Sequence, residues 1–207
     1  MAFFRDVSGD SPLAERINWA LERPHARGPK PSRPAFRLFP KRRQKAASEH
    51  LYFDVRSLVG SGGRHFLQYG FADDRGNIVL SVIGEVAVPY CGPEIAPPED
   101  LAAEPMDAEW LRELVRSICR GASLVAFHKV LKSGLLPPGS IDDAYSVECA
   151  WRRYVRLARR LGRFDRAEPV TLDDALEAAG IGAVGATDAA LRALAIRELW
   201  AWMDRHE

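Results

Sequence analysis

The side chains best equipped for chemistry in this 207-residue chain are cations. From Arg23 to Lys45 the sequence carries nine Lys or Arg, among them Arg33, Arg37, Lys41, Arg42 and Arg43, and no Asp or Glu. Farther on, Arg152, Arg153, Arg156, Arg159, Arg160, Arg163 and Arg166 crowd around and beyond Trp151. At helical spacing Arg152, Arg156, Arg159 and Arg163 share one face, and Trp151, Val155, Ala158 and Leu161 another. An exposed row of guanidinium groups can follow a nucleic-acid backbone. A solvated amphipathic helix with cations near its C-terminus makes the same pattern. Net charge is only +1, so any preference for a polyanion must come from how the charge is distributed.

Other reactive types are sparse. Cys91, Cys119 and Cys149 are odd in number and far apart, which suits neither a disulfide framework nor a zinc site and fits a reducing, cytoplasmic setting. His128 has Lys129 and Lys132 beside it, poor company for a metal ligand. Ser57, Gly60, Ser61, Gly62 and Gly63 follow the first strand; the glycines read as a flexible turn, and no phosphate-loop or dinucleotide pattern is present. The N-terminus lacks the apolar core of a signal peptide, and no apolar run approaches membrane-spanning length, so no membrane partner is expected.

Two regions must carry these groups. Residues 1–48 divide into a short helix over roughly Pro12 to Leu21 and a basic arm with five prolines between Arg23 and Lys45. Proline at that density excludes helix and central strand, so the arm is expected to be extended. Residues 49–207 form the folded domain. Leu51–Val55, His65–Phe71 and Ile78–Ile83 are runs of β-formers joined by short connections, with turn chemistry at Asp73-Asp74-Arg75-Gly76-Asn77, and predict an antiparallel meander. Asp107 caps a helix in which Trp110, Leu111, Leu114, Val115 and Ile118 recur, and Gly121 stops it. Ser123–Phe127 is short and apolar throughout, the signature of a buried parallel strand. Helices are predicted over about Ser146 to Leu161, after Thr171, and from Thr187 to Met203. The sum is an α/β domain: a mixed sheet with helices on its faces.

Three stretches carry a family likeness. Phe53-Asp54-Val55-Arg56 ends the first strand. Gly121-Ala122-Ser123-Leu124-Val125-Ala126-Phe127-His128-Lys129-Val130-Leu131-Lys132 follows a helix and leads to Leu135-Leu136. Ala183-Val184-Gly185-Ala186-Thr187-Asp188-Ala189-Ala190 enters the last helix. In order and spacing these resemble the three motifs of the DnaQ-like, or DEDD, 3′–5′ exonucleases, which share the ribonuclease-H-like fold. Asp54 and Asp188 match acidic positions of that family. Arg56 stands where its glutamate is expected, Lys132 where its second-motif aspartate is expected, and Ala183 where its histidine is expected.

The resemblance implies a phosphodiester hydrolase using two divalent ions, Mg or Mn, held by several carboxylates, with the histidine as general base. Here two positions that should be negative are positive. Opposite unit charges about 4 Å apart in a partly shielded site interact by roughly 4 kcal/mol, and a divalent ion doubles the repulsion from a misplaced cation. The expected outcome is no ordinary two-metal catalysis and no resident metal, with Arg56 and Lys132 pairing Asp54 and Asp188 and Arg192 joining from the last helix. The expected function is binding of single-stranded nucleic acid through Arg33, Arg37, Lys41, Arg42, Arg43, Arg56, Lys132, Arg152 and Arg156. Two alternatives stand beside it. One is an active metal-dependent exonuclease with Asp54 and Asp188 as ligands and rescue by Asp142, Asp143 or Glu148. The other is a protein-interaction module of a replication or repair assembly.

Overall fold

The computed structural model describes residues 50–59, 65–85, 106–162, 171–185 and 188–207. The N-terminal helix and basic arm, including Arg33, Arg37, Lys41, Arg42 and Arg43, lie outside the described residues, as do Arg163 and Arg166. In chain order the elements are β1 (His50–Val59), β2 (His65–Asp73), β3 (Ile78–Glu85), α1 (Ala108–Cys119), β4 (Ser123–Ala126), α2 (Lys129–Ser133), β5 (Ser146–Cys149), α3 (Ala150–Arg160), α4 (Leu172–Ala178) and α5 (Ala189–His206).

The strands form one sheet in the order β3-β2-β1-β4-β5. β1, β2 and β3 pair antiparallel, and β4 and β5 continue the sheet in parallel with β1. This is a ribonuclease-H-like mixed sheet flanked by helices. Side-chain alternation divides it into two cores. Leu51, Phe53 and Val55 of β1, Leu67, Tyr69 and Phe71 of β2, and Leu124 and Ala126 of β4 pack with Leu111, Leu114, Val115 and Ile118 of α1. Tyr52, Val125 and Phe127 face the other way, against α3, α4 and α5. β4 is buried on both faces, which is why it reads as an unbroken apolar run. Asp54 falls on the α5 side of β1, where a charge needs partners.

Local signals set the helix starts. The Asp107 carboxylate accepts from the Glu109 and Trp110 amides, both at 3.0 Å, and opens α1. Gly121, at φ +70°, turns the chain out of α1 toward β4. Thr171 and Asp174 form a reciprocal capping box at α4.

Three predicted boundaries change. Ser146–Cys149 is a strand and not the first turn of the arginine-rich helix, because its backbone pairs with Ser123–Ala126. On α3 the buried residues are Ala150, Tyr154, Leu157 and Ala158, whereas Leu161 is exposed. Of the expected Trp151–Val155–Ala158–Leu161 face, Ala158 is buried, Trp151 and Val155 are half-buried against the same core and Leu161 is exposed, so the stripe is rotated toward Tyr154 and Leu157. The last helix begins after Asp188 and runs on to His206.

Candidate functional site

The site is built where α5 crosses β1 and β2. Gly70 lies opposite Asp54 in the β1–β2 register, and a Cβ at position 70 would stand 2.2 Å from the Ala189 carbonyl carbon and the Ala190 nitrogen. Only glycine allows the helix to seat on this backbone. Gln68, on the same face and opposite Arg56, fixes the end of the helix. Its Nε2 donates to Asp188 Oδ2 at 2.6 Å, and its Oε1 accepts from the Ala189 amide at 3.1 Å. Asp188 Oδ1 in turn accepts from the amides of Ala190 and Leu191. Asp188 is thus a helix cap. It forms no ion pair with the site's cations, which corrects the expected pairing.

The helix so anchored brings Arg192 onto Asp54. Arg192 Nε donates to Asp54 Oδ2 at 3.0 Å, and its Nη1 reaches Asp173 Oδ2 at 3.4 Å. From the opposite side Lys132, on α2, places Nζ 2.8 Å from Asp54 Oδ1 and donates to the Val55 carbonyl at 2.6 Å. The Asp54 side chain is 2% exposed, and those of Lys132 and Arg192 are 15% and 14% exposed. One buried carboxylate therefore has a cation on each oxygen. Charge-assisted bonds in such surroundings are the strong class, and removing either sign would leave an unpaired buried charge.

Arg56 follows Asp54 by two residues on the same face, half-buried, yet it makes no hydrogen bond or ion pair among the described residues. Its Nε is shielded from solvent and unpartnered. Burial and the charge of Arg192 lower its pKa, against the attraction of Asp54 and Asp173. The expected pairing thus splits: Lys132 and Arg192 hold Asp54, and Arg56 remains a spare cation beside them. Asp173, which completes the cluster, carried no local signal beyond its place in the first turn of α4. Gln68 could have been found from the hairpin register.

His128 leads into α2. Its carbonyl accepts from the Lys132 amide, and its ring lies 4.9 Å from Phe127 and 5.4 Å from Trp151. Burial, then the charge of Lys132, lowers its pKa, against the pull of Asp54. Ala183 is exposed in the segment leading to α5. The possible rescue carboxylates are elsewhere: Asp143 pairs with Arg116 at 3.0 Å, and Glu148 lines a groove with His50.

That groove, about 910 Å³, lies between α3 and the end of α5. Arg156 lines it, and Arg152 is exposed on α3. Arg153 instead turns inward, 4.2 Å above the Trp200 ring and bonded to Asp204 and Glu207. It serves the α3–α5 junction rather than an outward row.

A pair of divalent ions does not fit the central donor set. Both oxygens of Asp54 are taken by protein cations, and Asp188 is committed to Gln68 and the helix amides. Comparison with protein-family models, with curated proteins and with solved structures finds no match to this chain, so the reading of the site rests on its own chemistry.

Proposed function

We propose that this chain is a degenerate member of the DnaQ-like exonuclease type that binds single-stranded nucleic acid without two-metal catalysis. The observation that carries the reading is the double clamp of Lys132 and Arg192 on the two oxygens of Asp54. It neutralises from within the carboxylate that relatives of this type would give to a metal. The spare charge supports the binding half of the reading. Among the described residues Lys132 and Arg192 pair with Asp54 and Asp173, Asp188 is held by Gln68 and the helix amides, and Arg56 makes no ion pair, which leaves its charge for a phosphate. A guanidinium fork matches phosphate oxygens in shape as well as charge. The nine cations between Arg23 and Lys45 supply a second phosphate-binding segment in the same chain.

The test is fluorescence anisotropy with a labelled single-stranded oligonucleotide over a salt series, paired with a degradation assay in Mg²⁺ and Mn²⁺. Binding that weakens steeply with salt, with the strand left at full length, is expected. Metal-dependent shortening of the strand that disappears in Asp54→Asn would overturn the proposal in favour of an active exonuclease.

A further inference from the structure

Beside the clamp sits a pair of rings, His128 and Trp151. Phe127 is buried at the end of β4, and the two rings beyond it, His128 and Trp151, are half-buried. Backbone bonds fix both to the centre. The Trp151 amide donates to the Phe127 carbonyl at 3.0 Å, and the Lys132 amide donates to the His128 carbonyl at 2.9 Å. The His128 ring packs against the Trp151 ring at 5.4 Å, and its own residue opens the helix whose lysine holds Asp54.

Two features set this pair apart from an ordinary core contact. A buried indole N–H usually finds an acceptor. Trp151 Nε1 has none among the described residues, so ring contacts rather than a polar anchor orient this side chain. The His128 ring likewise has no hydrogen bond among the described residues; its neighbours are the rings of Phe127 and Trp151. What results is a half-buried π surface next to a cluster that includes the unpaired cation Arg56. Sequence-tolerant single-strand sites are made of this combination, a cation for the backbone and a ring for the base.

We propose that His128 and Trp151 form a stacking shelf for an unpaired base whose neighbouring phosphate is held by Arg56. The inference deepens the nucleic-acid reading given above and rests on it.

The experiment uses the full chain and two labelled strands of equal length, one ordinary and one in which every base is replaced by an abasic linker. Trp151→Leu is expected to weaken binding of the ordinary strand about tenfold or more and to leave the abasic strand unchanged. Trp151→Phe, which keeps a ring, is expected to retain most of the affinity. Arg56→Ala should weaken both strands. Unchanged binding of the ordinary strand by Trp151→Leu, with loss in Arg56→Ala, overturns the shelf and leaves the cleft standing. Equal loss on both strands in Trp151→Leu, not restored by phenylalanine, makes the residue a structural one and also overturns the shelf. Full binding of both strands by Arg56→Ala removes the cleft reading, and the shelf with it.

Discussion

Asp54 is the residue on which the site's energetics turn. Its carboxylate is buried between two cations that are themselves largely enclosed, so deleting its charge leaves Lys132 on the Val55 carbonyl and Arg192 on its longer contact to Asp173. Asp54→Asn is expected to lose about 3–5 kcal/mol of unfolding free energy, the usual cost of breaking a buried pair from one side. Lys132→Met, which leaves Arg192 on the carboxylate, should lose less. Chemical denaturation of the three proteins gives the ranking, and an Asp54→Asn protein as stable as the parent contradicts the clamp. Arg56 behaves in the opposite way. It makes no hydrogen bond or ion pair among the described residues and sits beside the like charge of Arg192, so Arg56→Ala should leave stability within about 0.5 kcal/mol of the parent. In single-strand binding it should reduce the salt slope by about 0.7, one phosphate contact. The acid–base identities at this centre were legible from residue types and motif spacing, and so was the arrival of Arg192. The division of labour was not. Asp188 and Asp54 look alike in sequence, but one is a cap and the other a buried counter-ion, because Gln68 reaches the first from across the sheet.

At the scale of elements, the clamp depends on how α5 sits. Gly70→Ala would drive a methyl group into the Ala189–Ala190 peptide, and backbone cannot move aside as a side-chain tip can. A loss of about 3 kcal/mol is expected, together with weaker strand binding, since Arg192 rides on the displaced helix. A Gly70→Ala protein with parental stability and affinity would show that the helix seat does not position the site. The start of β1 carries a second, titratable junction. Asp74 accepts from the His50 amide at 2.9 Å and from the Tyr52 hydroxyl at 2.8 Å. Hydrogen bonding to Asp74 raises the His50 pKa above 6.5. Desolvation pushes Asp74 up, but the bonds from His50 and Tyr52 outweigh it and hold its pKa below 3.8. The contribution of the raised histidine is therefore complete below pH 6.5 and fades as pH rises through its folded pKa; that of the aspartate is complete above pH 3.8 and fades on acidification. The stability difference between parent and Asp74→Asn should be greatest between those values and shrink in alkaline buffer. A difference that grows with rising pH refutes the assignment. The meander, α1 and α4 were legible because their signals are local: alternation, turn residues, and the caps Asp107 and Thr171. β5 was not, because Ser146–Cys149 is a strand only through its pairing with β4, and the chain enters α3 at the next residue. Arg153 was similarly hidden; its inward turn depends on Trp200, Asp204 and Glu207 at the far end of the chain.

Across the whole molecule, charge is nearly balanced at +1, so affinity for a polyanion has to be local. The proposed sources are Arg56 beside the clamp, exposed α3 cations such as Arg152 and Arg156, and the arm. Metal independence is proposed to arise in the same place, because the charge that a metal would supply is already supplied by Lys132 and Arg192. Mn²⁺ titration by calorimetry, on the parent and on Asp54→Asn, tests that claim most directly. The parent is expected to show no stoichiometric Mn²⁺ binding that the substitution removes. Saturable binding of one or two ions, abolished by Asp54→Asn, would contradict it.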